Sequence, residues 1–267
     1  GDIIDPYNGR ADLDARLLRH VSPAFSEDPL RVLRVARFAA RYAPLGFTIA
    51  TETMTLMQQM VNDGELDYLV AERVWTETQR ALGEKTPEVY FQVLRDCGAL
   101  KTWFPQLDAL FGIPQPEKHH PEIDCGIHAL LSLQAAAALT DKNSVRWAAL
   151  THGLGKALTP TEELPRHIAH EKRGLKPIKN LCKTLKAPKE HQELALLSCE
   201  FHTHVHRAFK LKGATLNKLF NQTDAWRRKE RFEDFLLVCK ADARGRTGHE
   251  TEPYPQADYC RAAFAEA

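Results

Sequence analysis

The chain has 267 residues, of which 43% are hydrophobic and 27% charged, and its formal net charge at pH 7 is +1. That length supports a substantial core or two domains, while so small a net charge excludes capture of nucleic acid by the overall field and leaves local basic patches as the only electrostatic route to RNA. There is no secretory signal and no apolar run of membrane-spanning length, and the six scattered cysteines form no C-x-x-C pair, so the chain reads as a cytoplasmic protein with reduced thiols rather than a disulfide framework, a zinc knuckle or a membrane protein.

Hydrophobic periodicity predicts helices near residues 12–19, 28–43, 52–61, 71–82 and 87–97, then near 126–139, 144–152, 166–185, 189–205, 214–221, 229–242 and 255–265. No alternating strand pattern stands out, which implies an all-α fold. The second of these helices carries the most specific text. Ser26 is expected to cap it, with Glu27 and Asp28 at its positive end and Pro29 in the first turn. Arg31, Arg34, Arg37 and Arg41 then recur at steps of three, three and four, so they share one side of the helix, while Leu30, Leu33, Val35, Phe38 and Ala39 supply apolar contacts. Asp28 lies one turn before Arg31. An acceptor and a forked donor at that spacing can read the hydrogen-bonding edge of a base, and the same pattern also fits a solvated arginine face.

Three prolines mark residues 111–124 as a linker, and composition changes there, with eleven of the twelve histidines falling between His119 and His249. The expected division is therefore residues 1–115 and 116–267. In the second part His128, His152, His170, His202 and Asp242 each fall in or beside a predicted helix, so several helices can bring them to one metal-sized space. His202, His204 and His206 alternate and cannot all point the same way. His119 and His120 read as linker residues, and His191 and His249 as solvated surface groups. His167 is one helical turn from His170 and is an alternative to it.

The text Glu27-Asp28-Pro29-Leu30-Arg31 resembles the Glu-Asp-x-x-Arg element of the bacterial class II tRNA nucleotidyltransferases, the CCA-adding enzymes. Ile4-Asp5-Pro6-Tyr7-Asn8-Gly9, Asp12-Leu13, Arg19-His20-Val21 and Glu72-Arg73-Val74-Trp75-x-Glu77 extend the resemblance across the first half, as an elongated helical neck and body. The resemblance implies that Asp28 and Arg31 act as a protein template for CTP and ATP, with Arg34 as a further nucleotide contact. It also implies tRNA as partner and Mg2+ for nucleotidyl transfer. The family's catalytic head, with its Gly-Gly-x-x-Arg loop, Asp-x-Asp pair and Arg-Arg-Asp motif, has no counterpart in these residues. The chain is therefore expected to be a piece of a longer protein and incompetent for nucleotidyl transfer by itself.

The second half is similar to the HD superfamily of metal-dependent phosphohydrolases over roughly residues 122–245, through Gly126-Ile127-His128, His152-Gly153-Leu154-Gly155-Lys156, His167-Ile168-Ala169-His170 and Ala241-Asp242. By that resemblance His128, His152, His170, His202 and Asp242 are the metal residues, with Ni2+ or another divalent ion as the metal. Where the family has His-Asp, this chain has His152-Gly153, so one carboxylate ligand is missing and the site is expected to be impaired. Lys172, Arg173, Lys176 and Lys179 are candidate RNA contacts, as are the clusters Lys183, Lys186, Lys189 and Arg227, Arg228, Lys229, Arg231. Two other readings remain open: a stand-alone phosphohydrolase acting on 2′,3′-cyclic phosphates, 2′-nucleotides or phosphate esters, and a non-catalytic RNA-binding module.

Overall fold

A computed structural model describes all of residues 1–267, and the chain divides into two compact units, 1–105 and 106–267. The sequence division at residue 115 lies ten residues later. Residues 106–115 join the second unit because they bond to it. The Gly112 amide donates to Asp124 Oδ2 at 2.6 Å, the Phe111 ring lies against Gly126, and Gln115 Oε1 accepts from Lys156 Nζ at 3.1 Å. The supposed linker is thus a structured part of that unit.

The first unit runs α1 (Gly9–Ala15), β1 (Leu17–Leu18), α2 (Leu30–Tyr42), β2 (Thr48–Ile49), α3 (Thr51–Asn62), α4 (Ala71–Leu82), α5 (Pro87–Cys97) and α6 (Ala99–Trp103). The only sheet is the two-residue parallel pairing of β1 with β2, so the fold is all-α. The first helix stops at Ala15 instead of reaching residue 19, because Arg16 turns left-handed at φ 55° and the chain enters β1. Ser26 does not cap α2. Residues 23–27 form their own 3₁₀ turn, Ser26 Oγ donates back to the Pro23 carbonyl at 3.0 Å, and Asp28 Oδ1 accepts from the Leu30 amide at 3.1 Å. α2 packs on α4 and α5 and buries Val32, Leu33, Ala36 and Ala40. Tyr90, Phe91 and Phe104 continue that core, Phe91 meeting each of the other two rings edge-on at 5.1 and 5.4 Å.

The second unit contains α7 (Pro105–Asp108) from its second residue onward, then α8 (Cys125–Leu139), α9 (Asn143–Thr151), α10 (His170–Arg173), α11 (Leu175–Leu185), α12 (Lys189–His206), α13 (Gly213–Gln222), α14 (Lys229–Arg244) and α15 (Pro255–Glu266). The helix expected over 166–185 is broken at Gly174 into α10 and α11. α8, α9 and α14 pack on one another, α12 packs on α9 and α14, and Trp147 of α9 is fully buried. Between α9 and α10 the backbones come so close that only glycine fits at 155: a Cβ there would lie 2.0 Å from the His170 carbonyl oxygen and 2.5 Å from the Gly174 nitrogen. That contact sets His170 against the 3₁₀ turn over Leu154–Leu158 that follows α9.

Gly155→Ala is accordingly expected to destabilise the protein by about 1–3 kcal/mol, since backbone rather than a flexible side chain must yield. Gly213→Ala, with nothing within 4 Å of its added Cβ, is expected to leave stability unchanged or slightly raised. Urea unfolding followed by circular dichroism checks both.

Candidate functional site

In the first unit α2 and α4 bring the two halves of the sequence motif together. Glu77, 2% exposed, is gripped by Arg34 Nε at 3.3 Å and Arg37 Nε at 2.6 Å. Asp28 Oδ2 accepts from Arg73 Nη2 at 3.1 Å. Burial pushes the Asp28 carboxyl upward, but the Leu30 amide and the Arg73 guanidinium outweigh it and hold the group below its ordinary value. Arg31 donates to the Ala24 carbonyl. Arg31 and Arg34 line a cavity of about 430 Å³ whose apolar wall includes Leu18, Phe25, Val35 and Phe38. Asp28 is not one of its lining residues, and its partner is Arg73 rather than Arg31. Apolar side chains and arginines in one lining offer both stacking surface and directional donors, the two things that recognition of a base edge uses.

In the second unit the five expected metal residues converge. Neighbouring imidazole centroids are 5.5 Å apart for His128–His152, 5.1 Å for His152–His202 and 5.5 Å for His170–His202. His128 Nε2 lies 2.7 Å from Asp242 Oδ1, and His152 Nε2 lies 3.1 Å from the same oxygen. All four rings spend the same nitrogen on backbone, His128 on the Gly245 carbonyl at 2.8 Å. Nδ1 donates to the Ala149 carbonyl at 2.6 Å in His152, to the His167 carbonyl at 2.8 Å in His170, and to the Ser198 carbonyl at 2.8 Å in His202. Those carbonyls fix the tautomer that leaves Nε2 with a lone pair, as a metal ligand requires. Burial, reinforced by Lys156, lowers the His170 pKa to about 4, and burial among other histidines lowers that of His202 far below its usual value. Asp242 is buried, which opposes ionisation, yet His152, His128 and His206 together hold it well below the usual carboxyl range.

This donor set of imidazole nitrogens and one carboxylate fits a borderline divalent ion such as Ni2+, Zn2+ or Co2+ better than Mg2+ or Ca2+. Gly153 contributes no donor. Space for one exists there, because the nearest atom to an added Cβ is Lys156 Cδ at 3.9 Å and the backbone φ is −98°.

Several residues at this site were not legible as such. His206 Nε2 donates to Asp242 Oδ2 at 2.6 Å, and its Nδ1 accepts from Tyr254 Oη at 2.6 Å. The i, i+4 spacing from His202 was the available signal. His120, read as linker, lies 3.1 Å from Glu122 Oε1 and rims a cavity of about 440 Å³ with Lys156, Asp242 and Arg246. His191 is buried, not solvated, and burial pulls its pKa down to about 4; His249 is half-buried, with Nδ1 2.8 Å from Glu252 Oε2. His167 faces the Pro114 carbonyl and Thr159 instead of the histidine cluster. Of the basic candidates, Lys172, Lys176 and Lys179 are exposed, while Arg173 reaches Glu163 at 3.4 Å. Arg228 and Arg231 lie 2.9 and 3.7 Å from Glu193, which neutralises part of that cluster.

Residues 46–111 match the family described as "Probable RNA and SrmB- binding site of polymerase A". The chain is 61% identical over 264 residues to a Multifunctional CCA protein from Pseudoalteromonas atlantica, covering 99% of this chain and 65% of that protein. A protein of the same name from Hahella chejuensis is 60% identical over 261 residues, covering 98% and 62%. The solved structure of the Thermotoga maritima CCA-adding enzyme complexed with tRNA aligns with a TM-score of 0.57 at 16% identity, over 98% of this chain and 54% of that one, a likeness of fold. The chain is thus homologous to Multifunctional CCA proteins from end to end and spans 62–65% of the length of these two relatives.

Gly153→Asp is expected to raise divalent-ion affinity and metal-dependent hydrolysis of a 2′,3′-cyclic nucleotide and of p-nitrophenyl phosphate together, at least tenfold above the parent chain, because a charged ligand enters the set. Calorimetric titration with Ni2+ reads the first effect, and chromatography of the nucleoside monophosphate product together with release of p-nitrophenolate reads the second.

Proposed function

We propose, from homology to the Multifunctional CCA proteins along the whole chain, that these residues are the base-selecting and tRNA-gripping part of a tRNA nucleotidyltransferase that adds or repairs the 3′-terminal CCA with CTP and ATP. The observation that carries the reading is identity of about 60% over 98–99% of the chain. The geometry of α2 supports it. Arg34 is held by a buried carboxylate, Asp28 is held ionised by Arg73, and Arg31 and Arg34 front an apolar cavity. Donors and acceptors so restrained cost little to order when a base arrives, which is how a protein surface can discriminate bases without a nucleic-acid template. Mg2+ would serve the transfer step, in a head whose phosphate loop and carboxylate pair are not among these residues.

The second unit, in this proposal, grips RNA through Lys172, Lys176 and Lys179 on its surface and holds a divalent ion among His128, His152, His170, His202 and Asp242. Such an ion would lower the pKa of a bound water for attack on a phosphate ester. The Nδ1-to-carbonyl bond shared by all four histidines favours this second activity. Lys156 is buried, and its Nζ has Gln115 as its hydrogen-bond partner, which leaves donors for a phosphate oxygen.

In a protein carrying both these residues and a nucleotidyl-transfer head, Arg31→Ala is expected to lower kcat/KM for both CTP and ATP by about ten- to a hundredfold, the equivalent of a lost charged hydrogen bond of about 1.5–3 kcal/mol. Discrimination against UTP and GTP should fall with it. Unchanged kinetics and fidelity would remove α2 from base selection. The chain of 267 residues by itself is expected to add nothing to tRNA lacking CCA in the presence of labelled CTP and magnesium. Robust extension would place a nucleotidyl-transfer centre within these residues.

A further inference from the structure

Glu122 stands outside the ligand set yet is bound to it. Its side chain is 2% exposed, and its Oε1 lies 3.1 Å from His128 Nδ1 and 3.1 Å from His120 Nδ1. Gln115 Nε2 donates to the same oxygen at 3.1 Å, whereas Oε2 is buried without a partner. A carboxylate buried with one oxygen unsatisfied is costly unless its charge serves something nearby. The expected metal residue it can serve is His128, whose Nδ1 lies within hydrogen-bond distance of this carboxylate and also meets the Gly245 carbonyl at 2.8 Å. On the far side of that ring Nε2 points at Asp242. The sequence that carries Glu122 is also fixed in place: the Gln115 amide bonds to the Ile123 carbonyl at 2.8 Å, and Asp124 caps α8 through the Gly126 and Ile127 amides.

We propose that Glu122 is a positioning residue that supplies, from behind His128, the negative charge that Gly153 withholds from the metal ligands in front of it. With Nδ1–H held by Glu122 and Gly245, Nε2 of His128 is the nitrogen left for the ion, and the carboxylate makes that nitrogen a stronger donor through the ring. The chain therefore keeps two carboxylates acting on one ion, Asp242 directly and Glu122 through an imidazole. The inference rests on the reading that the histidine cluster holds a divalent ion.

The test uses the whole chain, stripped with chelator and titrated calorimetrically with Ni2+, with the ligand-field absorption of Co2+ as a second readout. Glu122→Gln keeps an oxygen acceptor for Nδ1–H and removes only the charge. It is expected to weaken Ni2+ binding by about ten- to a hundredfold, with the stoichiometry and the Co2+ spectrum unchanged because the inner donors are the same. In a Gly153→Asp background the same substitution should cost severalfold less, since a carboxylate then enters the set itself. Ni2+ affinity in Glu122→Gln equal to that of the parent chain overturns the proposal while leaving the metal reading intact. An altered Co2+ spectrum also overturns it, by making Glu122 an inner ligand. No binding by the parent chain removes the metal reading and this inference with it. Should Glu122→Gln fail to fold, Glu122→Asp, which keeps the charge but draws it back from Nδ1, carries the test: weaker binding with an unchanged spectrum supports the proposal, and undiminished affinity overturns it.

Discussion

The second unit is organised around one buried carboxylate. Asp242 projects from α14 and is met by His128 from α8, His152 at the end of α9 and His206 from α12, at 2.7, 3.1 and 2.6 Å. These are the four helices that form the unit's core, so the charge that completes the site also ties the bundle together. A carboxylate removed from water is tolerated only when its partners replace the lost solvation. Asp242 meets that condition with hydrogen bonds on both oxygens, which is why it stays ionised despite burial. Its stabilising effect is fully present above the ordinary carboxyl value of 3.8 and is lost only as pH falls through its lower folded value. The His128 pKa moves the other way. Burial lowers it, but Asp242 and Glu122 raise it more, so its contribution is complete below 6.5 and fades as pH climbs through the raised value. The two effects overlap in the acidic to neutral range.

Much of this was legible in the sequence because the chemistry is carried by helices. The helices over 71–82 and 87–97 fall where apolar periodicity put them, since a face that packs on α2 must repeat at helical spacing. His128, His152, His170, His202 and Asp242 could be chosen because each sits in or beside such a helix. What periodicity could not see lies off the helices. His120 and Glu122 are in a proline-rich stretch with no repeat to read, and the backbone there is fixed by Gln115 and by the Asp124 cap. Gly155 and Gly174 are dictated by a close approach of two segments, and the helix expected from residue 166 begins only at His170, after Ala169 turns left-handed at φ 58°. Ser26 lost its expected role because a 3₁₀ turn intervened and the shorter reach of Asp28 met the Leu30 amide first.

The first unit uses the same device on the surface. Glu77 is nearly inaccessible and anchors Arg34 and Arg37 of α2, so the cationic face is positioned before any ligand arrives. Arg34 remains 44% exposed at its side chain while tied at Nε, a guanidinium with one edge fixed and the other free. In both units a buried acid orients nitrogen donors toward a cavity, which the proposed function assigns to a base edge in one case and to a metal ion in the other. Gly153 belongs only to the second. The two arrangements share no residue.

Hydrogen exchange of Asp242→Asn, followed by mass spectrometry in the presence of chelator, tests the organising role of Asp242 most directly. Breaking a buried, hydrogen-bonded charge set by removing one partner costs about 3–5 kcal/mol. The account therefore predicts exchange faster by at least a hundredfold in α8, α9, α12 and α14, with α2, α4 and α5 unchanged. Undiminished protection in those four helices would contradict it and leave Asp242 as a site residue without a structural role.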